Sequence, residues 1–343
     1  MHGPLTARRL VIRLGAAVVV LCAMMVACSL VGTEPVSVAR ALGFGAEEGV
    51  HYDYEILFRI RLPRVVLAAI VGAALACSGA VLQALLRNPL ADPYILGISS
   101  GAGLGTIVAV ISGVQWTVLG RSPIAVFAFA GALATVWLVW LIGRLTGRSQ
   151  VTHLLLAGVV VNAFFSAMIM FLTSVANSSQ VHATLFWLMG NIMEEDPLVL
   201  WVSGGLVMSG IGALFLMGPQ LNAVSFGEGD ARAMGVNTVV TQTAGFAIAA
   251  LITAVAVSLS GLVGFAGLIV PHAVRLAFGP DHRQLLPLSS VVGATFLVLA
   301  DTLARMVVAP AQLPVGVVTA LVGGPFFLVL LVRYSRRVDW LAR

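Results

Sequence analysis

Residues 61–105 read RLPRVVLAAIVGAALACSGAVLQALLRNPLADPYILGISSGAGLG, and this stretch decides the fold. Its apolar run, residues 65–86, is long enough to cross a hydrocarbon layer of about 30 Å, which takes roughly 20 residues of helix. The run contains small residues that let neighbouring helices approach closely in a membrane bundle. A polar turn at residues 87–93 ends the run, and a second apolar segment rich in glycine and serine follows. The stretch therefore predicts two membrane-spanning helices joined by a tight turn.

The composition of the whole chain favours the same class of protein. Of the 343 residues, 59% are hydrophobic and 10% are charged, whereas soluble domains carry about 25% charged residues. The apolar runs are long and continuous, which indicates helices rather than the alternating strands of a membrane barrel. All 19 basic residues are arginines, and they do not form an arginine-rich arm with interleaved aromatic residues. We therefore expect an all-α integral membrane protein in contact with lipid, without a nucleic-acid partner.

The order of the apolar runs predicts a single transmembrane domain, residues 1–343, with about ten spans. Most arginines lie at one set of span ends, which the positive-inside rule assigns to the cytoplasm together with both termini. Residues 174–196 predict a short helix at the outer rim. The predicted spans are residues 10–32, 62–86, 94–111, 123–142, 151–173, 198–217, 239–259, 262–278, 285–304 and 313–332.

The sequence also resembles a known family. The motifs that carry the resemblance are residues 61–64, 78–79, 83, 88–93, 96–103 and 261–272. In this order they resemble the permease subunits of bacterial ABC importers for iron chelates, haem and cobalamin, the type II importers. The resemblance extends over about residues 55–333. It implies a homodimer in the bacterial cytoplasmic (inner) membrane that works with two separate ATPase subunits and an outside substrate-binding protein.

Three arginines lie at predicted outer ends of spans, where the positive-inside rule disfavours them: Arg61, Arg64 and Arg305. In the resembled family, matching arginines receive acidic side chains on the two lobes of the substrate-binding protein. The planar guanidinium suits that role because it pairs with a carboxylate through two hydrogen bonds. Anchoring to lipid headgroups is the alternative. Asp301 stands four residues before Arg305, so a pair on one helix face is expected.

The turn Asn88-Pro89-Leu90 is predicted to form part of a cytoplasmic gate. Pro89 disfavours helix at Asn88, so the preceding helix should end there. The resemblance assigns gating to this turn and to the start of the fifth span, Val151 and Thr152. Related proteins often carry two hydroxyl residues there, and Val151 departs from that pattern. Ordinary helix capping is the alternative interpretation.

Residues 221–236 read LNAVSFGEGDARAMGV and are too polar to cross a membrane. By resemblance they form the coupling segment, two short helices that enter a cleft on the ATPase subunit. ATP-driven closure of that subunit would then move the permease as rigid bodies. A solvated connector is the alternative. The residues predicted to carry the coupling are Phe226, Gly227, Glu228, Asp230, Arg232, Met234 and Gly235.

Gln83, Pro271 and His272 are candidates for the translocation path. Gln83 is an amide inside an apolar run, and Pro271 removes a backbone hydrogen bond and can kink its helix. His272 has no second ligand residue at helical spacing, which favours a structural or cavity-facing role over metal binding. The sequence contains no phosphate-binding loop, nucleophile motif or metal-ligand cluster. We therefore expect a chain that is not itself an enzyme and holds no metal or cofactor.

The predicted function is the permease subunit of an ATP-driven importer that moves an iron chelate, either haem or a ferric siderophore, into the cytoplasm. A cobalamin importer of the same family is one alternative, because these permeases share the motifs. His51 and His182 near the outer face favour haem if they ligate iron, although rim histidines are commonly incidental. An ion-coupled secondary transporter is the alternative from another class. It would need titratable residues inside the membrane, where Asp301 is the clearest acid.

Overall fold

The structure is a computed structural model that describes residues 5–41, 52–114, 123–145, 151–193 and 196–341. Within these ranges every regular element is helical. The principal helices, numbered in chain order, are α1 (Ala7–Leu30), α2 (Leu62–Leu85), α3 (Ile98–Ser112), α4 (Pro123–Leu145), α5 (Val151–Val175), α6 (Ser178–Leu188), α7 (Pro197–Leu216), α8 (Gly218–Phe226), α9 (Glu228–Ala233), α10 (Thr238–Ser260), α11 (Ala266–Phe278), α12 (His282–Met306) and α13 (Val315–Leu341). Short helical segments at Val38–Ala41, Tyr52–Tyr54, Glu55–Arg61 and Pro93–Leu96 are left unnumbered.

The helices confirm the predicted all-α membrane fold. In the described part of the chain, seven helices are long and apolar enough to cross a membrane: α1, α2 with the segments before it, α4, α5, α7, α10 and α12. Three shorter apolar helices, α3, α11 and the first part of α13, bring the number to about ten, as predicted. The short helix expected at the outer rim corresponds to α6.

Helix α2 forms the centre of the bundle. All of residues 74–85 are buried, so this half of the helix has no face toward lipid. Two of its glycines allow neighbouring backbones to touch. A Cβ on Gly72 would overlap the Gly293 carbonyl oxygen of α12, and a Cβ on Gly79 would overlap the Gly267 carbonyl oxygen of α11. Such contacts hold membrane bundles together, because lipid supplies no hydrophobic force between helices.

Helices α3 and α11 begin inside the bundle rather than at the membrane surface. Their 15 and 13 residues span only about 20 Å of a hydrocarbon layer that is roughly 30 Å thick. Pro93, just before α3, packs on Gly267, where an added Cβ would lie 2.6 Å from the proline Cδ and 2.9 Å from the Leu75 carbonyl oxygen. Because Leu75 lies well before the end of α2 at Leu85, Pro93 sits about 15 Å above the inner end of that helix.

This depth corrects two details predicted from the sequence. We expected full spans from residue 94 and from residue 262. The chain instead returns into the bundle through residues 88–97, and the regular helices begin at Ile98 and Ala266. Irregular backbone is tolerated at this depth because protein encloses it, as the burial of Ala91 and Leu96 shows. Hydropathy reports how apolar a residue is, not how deep it lies.

Helices α1 and α5 are the least enclosed of the long spans. In the most apolar 18-residue stretch of each helix, none of the residues of α1 and 17% of those of α5 are buried. In the span that contains α2, 78% are buried. On α5, large side chains such as Val160, Phe164 and Phe171 are exposed. This face of α5 is therefore free to contact lipid or another protein chain.

Candidate gate, coupling segment and outer cluster

The Asn88-Pro89-Leu90 turn is closed by its own hydrogen bonds. Arg87 adopts a left-handed conformation with φ of 49°, which ends α2 and reverses the chain. The Asn88 N–H donates to the Gln83 carbonyl oxygen at 3.1 Å. The Leu90 N–H donates to Asn88 Oδ1 at 2.9 Å, which is an Asx turn. These are the bonds that the capping interpretation expects, and a gating role would be additional to them.

The Gln83 side chain ties this turn to α11. Its Nε2 donates to the Ala91 carbonyl oxygen at 3.5 Å and to the Leu268 carbonyl oxygen at 3.3 Å. Only 3% of Gln83 is exposed, and its side chain also lines an inner cavity beside the coupling segment. The structure places Gln83 as the residue that holds the turn inside the bundle.

Two further contacts fix the segment after the turn. Tyr94 Oη donates to the Val263 carbonyl oxygen and accepts from the Val263 N–H, both at 3.0 Å. The Ile95 carbonyl oxygen lies against Gly158 of α5, 2.6 Å from the position of an added Cβ. Helix α5 begins at the second predicted gate segment, but the side chains of Val151 and Thr152 lie outside the described residues. The first gate segment is therefore connected to both α11 and α5.

Replacing Gln83 with leucine is expected to loosen the gate turn. The change removes the side-chain donor to the Ala91 and Leu268 carbonyl oxygens, and the loss of a buried hydrogen bond costs about 0.5–1.5 kcal/mol. The unfolding midpoint of the purified protein should therefore fall by several degrees. Gln180→Leu is the control, because this glutamine at the outer rim also loses two bonds: its Nε2 donates to the Val110 carbonyl oxygen at 3.3 Å, and its Oε1 accepts from the Asn177 N–H at 3.1 Å. Equal midpoints for the two variants would contradict a special role for Gln83.

Helices α8 and α9 are the two short helices that the resemblance implies for the coupling segment. Gly227 joins them with φ of 138°, a conformation that side chains disfavour. Buried Leu221 and Ala231 anchor the segment to the bundle. Asn222 adds a polar link, because its Nδ2 donates to Asp281 Oδ1 at 2.8 Å in the loop before α12.

The charged residues of the coupling segment mostly stabilise the segment itself. Arg232 donates to Glu228 Oε2 at 3.4 Å and to Thr238 Oγ1 at 3.1 Å. Glu228 Oε1 also accepts from Gln242 Nε2 of α10 at 3.1 Å. Asp230 is exposed. These bonds make a rigid platform next to the start of α10.

The platform presents apolar side chains at its surface. Phe226 is 75% exposed and Met234 is 58% exposed. Gly235, with φ of 81°, turns the chain away directly after Met234. Exposed large apolar side chains on a rigid polar segment are typical of a protein-binding surface.

The predicted outer arginines form a buried cluster around Asp301. Arg64 Nε lies 3.1 Å from each Asp301 oxygen, and Arg64 Nη2 lies 2.9 Å from Oδ1. Arg305 Nε lies 3.2 Å from Asp301 Oδ2, as the four-residue spacing predicts, and Nη2 donates to Thr302 Oγ1 at 3.1 Å. Arg61 caps the end of α1 by donating to the carbonyl oxygens of Leu30 and Glu34.

This burial changes the expectation for docking. The exposed fractions of Arg61, Arg64 and Arg305 are 5%, 7% and 7%, so none of them presents a free guanidinium to the outside. Neither docking through free side chains nor headgroup anchoring accounts for this arrangement. In this structure the three arginines link the start of α2 to the ends of α1 and α12. Docking by these residues stays a prediction, and it would act through their charge.

The remaining path candidates do not share a cavity with Gln83. Pro271 is buried inside α11, and His272 is only partly exposed beside it. A different cavity, of about 630 Å³, lies between α3, α5 and α6 toward the outer side. Its polar lining carries no charged residue and consists of Ser99, Ser100, Asn162, Ser166, Thr173 and Ser174.

The polar lining of this outer cavity was not predicted, although the sequence contains a signal for it. Asn162, Ser166 and Thr173 are spaced by four and seven residues, which places them on one face of α5. The sequence around them is otherwise apolar. A polar stripe on a membrane helix indicates contact with water or protein rather than lipid.

Comparisons with known proteins agree with this geometry. The model of the FecCD transport family matches residues 17–333. The chain is 44% identical to the cobalamin import system permease protein BtuC of Halobacterium salinarum, over 86% of this chain and 78% of that protein. It is 41% identical to the hemin transport system permease protein HmuU of Yersinia pestis, over 82% of this chain and 84% of that protein. It is also 41% identical to the uncharacterized ABC transporter permease protein YvrB of Bacillus subtilis, over 86% of this chain and 84% of that protein.

A solved structure described as an inward-facing metal-chelate type ABC transporter also matches. The TM-score is 0.82 at 30% identity, and the alignment covers 93% of this chain and 98% of the solved one. The chain is thus a multi-pass protein of the cytoplasmic membrane and not itself an enzyme, because ATP hydrolysis belongs to a separate subunit of such transporters. The family match over most of its length, the identity to the curated relatives and the matching helical bundle together show that the chain belongs to the FecCD transport family of ABC importer permeases.

Proposed function

We propose that this permease works as a homodimer with two ATPase subunits and imports an iron chelate, either haem or a ferric siderophore. An outside substrate-binding protein delivers the chelate to a path between the two copies. The observation that carries this proposal is the polar face of α5. In a single chain, Asn162 is exposed at membrane depth, and neither its side chain nor that of Ser166 forms a hydrogen bond within the described residues.

An exposed amide in a membrane span needs a polar neighbour. Leaving an unpaired amide in contact with lipid costs several kcal/mol, as judged from the free energy of transferring an amide from water to hydrocarbon. A second copy that packs on the side of α5 that carries Asn162 would enclose the outer cavity as a water-filled path. The lining of hydroxyl and amide groups without charge suits a large solute whose metal is already chelated. It offers few ligands that would compete for the metal.

The outer cluster supports delivery by a binding protein. Arg61, Arg64 and Arg305 face the carboxylates of Asp301 and Glu34, so the cluster keeps a net positive charge. A positive cluster near the outer face attracts an acidic partner and raises its association rate even when the charges are buried. Docking is therefore proposed to depend on the field of the cluster.

The choice of solute is the finer part of the proposal. The matched relatives carry names for hemin, cobalamin and iron chelatin transport, so the family alone leaves these classes open. His182 on α6 is exposed and stacks on Phe186, with ring centroids 6.2 Å apart, close to the outer cavity. An accessible imidazole there favours an iron-containing solute over cobalamin. His51, the other candidate ligand, lies outside the described residues.

An ion-coupled mechanism finds no support in the described residues. The intramembrane acid it would use, Asp301, is held by Arg64 and Arg305. Both of its carboxylate oxygens are therefore already engaged by guanidinium groups.

Uptake in liposomes tests the proposal. Permease, ATPase and binding protein are reconstituted together, and haem, a ferric siderophore and cobalamin are offered in turn. Asn162→Leu combined with Ser166→Leu is expected to lower uptake of the preferred solute at least tenfold. Ser209→Leu on α7 is the control, because this exposed hydroxyl bonds only to its own helix at Leu206. Full uptake by the double variant, or a clear preference for cobalamin, would count against the proposal.

A further inference from the structure

A second polar cavity lies at the inner face of the permease, beside the coupling segment. Its volume is about 690 Å³, and it opens between the end of α2, helix α8, the end of α11 and the start of α12. The side chains that matter for its chemistry are Gln83, Arg87, Phe226, Arg275 and His282. The cavity is distinct from the outer cavity on α5, and none of the roles predicted above is assigned to Arg87 or Arg275.

Two arginines in this cavity lack an anionic partner. Arg275 is partly buried in the last turn of α11, and Arg87 follows the end of α2. Within the described residues neither side chain forms a hydrogen bond or ion pair. By contrast, Arg283 on the same face binds Asp281 at 2.6 Å. Arg87 is exposed, whereas Arg275 is partly removed from water, which is costly for a guanidinium without a counter-charge.

The nearest acid of the same loop does not compensate them. Asp281 accepts hydrogen bonds from Arg283 and from Asn222 Nδ2. The side-chain hydrogen bond from Arg283 is the main reason that the pKa of Asp281 is lowered to about 2. This carboxylate is therefore charged at neutral pH, but its oxygens are already engaged.

The cavity also contains buried acceptors that need donors. Gln83 Oε1 and His282 Nε2 have no partner within the described residues. His282 Nδ1 lies 2.7 Å from Asn222 Oδ1, a carbonyl-type acceptor that also takes the His282 N–H, so the ring proton belongs on Nδ1 and Nε2 is an acceptor. A cavity this large and polar holds water, which supplies the missing donors. It can equally hold a hydrated anion.

We propose that this inner cavity is an oxyanion-binding site in which Arg87 and Arg275 hold a phosphate or carboxylate group. The guanidinium forks supply several N–H donors, which match the oxygens of such a group. The site is open at the cytoplasmic face next to Phe226. Its ligand is either a free anion of the cytoplasm or an acidic side chain of the bound ATPase.

Thermal unfolding of the purified permease in detergent tests the site. Sodium phosphate replaces sodium chloride at constant ionic strength and pH, and the wild-type midpoint is expected to rise by about 2–4 °C when phosphate greatly exceeds its Kd. Arg275→Gln is expected to lose this rise while its midpoint in chloride stays equal to or above that of the wild type. The midpoint in chloride does not fall because the variant removes an uncompensated charge. If the arginine only supported the structure, its replacement would lower this midpoint.

Arg144→Gln is the control, since it removes the same charge in the last turn of α4, outside the lining of this cavity. It should keep the phosphate response, and Arg87→Gln should reduce it. An absent response in the wild type, or equal responses in Arg275→Gln and Arg144→Gln, would overturn the proposed site.

A second arm identifies the source of the oxyanion and rests on the proposed function. The phosphate response is measured again with the ATPase bound. Its disappearance identifies a protein carboxylate in the site, and its persistence identifies a free anion. If the ATPase does not bind at all, the proposed function is contradicted. The phosphate result on the isolated permease still stands in that case.

Discussion

Replacing Phe226 and Met234 together with alanine is expected to weaken binding of the ATPase about a hundredfold or more. Central apolar side chains of an interface each contribute about 2 kcal/mol or more, and a factor of ten corresponds to about 1.4 kcal/mol. Both side chains are exposed in the permease. Their loss should therefore leave its folding intact. Titration of labelled ATPase against the permease in nanodiscs measures the change.

The control for this prediction is Trp201→Ala. Trp201 is 81% exposed, but it lies in the first part of α7, far along the helix from the coupling segment. Its removal tests whether any lost exposed apolar side chain impairs binding. If the Phe226/Met234 variant binds the ATPase with the same affinity as Trp201→Ala, the ATPase binds elsewhere on the permease.

Asp301→Asn is expected to be the most destabilising single change at the outer end of the bundle. Asparagine has nearly the same shape, so the effect is electrostatic. Breaking a buried ion pair by removing one partner costs about 3–5 kcal/mol, because it leaves a buried charge uncompensated. Here Arg64 and Arg305 both lose their carboxylate. The unfolding midpoint in detergent, followed by tryptophan fluorescence, measures the loss.

A double replacement separates charge from packing in this cluster. Arg64→Met together with Asp301→Leu removes the Arg64–Asp301 pair and keeps most of the volume, and apolar replacements of buried pairs are commonly tolerated. Only Arg305 is then left without its carboxylate, whereas Asp301→Asn leaves both arginines uncompensated. We expect this variant to be more stable than Asp301→Asn. If Asp301→Asn unfolds at the wild-type temperature, the cluster does not hold α1, α2 and α12 together.

The helices themselves could be predicted closely from sequence. Uninterrupted apolar runs fix where each span lies. The span predicted at residues 10–32, for example, corresponds to α1, Ala7–Leu30. The coupling segment was also predictable, because its polar residues and its glycines interrupt the apolar pattern. Gly227 and Gly235 do adopt positive φ values there. Local chemistry is sufficient for such features.

The long-range contacts could not be predicted in the same way. The Arg64–Asp301 pair joins residues that are 237 positions apart, and nothing local to Arg64 announces a buried partner. Without that partner, an arginine at an outer span end looks like a free docking cation. Gln83 is similar, because its two acceptors only come together when residues 88–97 return into the bundle.

ATP-dependent uptake by the reconstituted complex tests the central claim most directly, that this chain is a passive permease driven by a separate ATPase. Liposomes containing the permease alone, or the permease with its ATPase, receive the loaded binding protein outside and ATP or a proton or sodium gradient. We predict uptake only with the ATPase and ATP, and none from an ion gradient. Solute accumulation by the permease alone in response to an ion gradient would contradict the account.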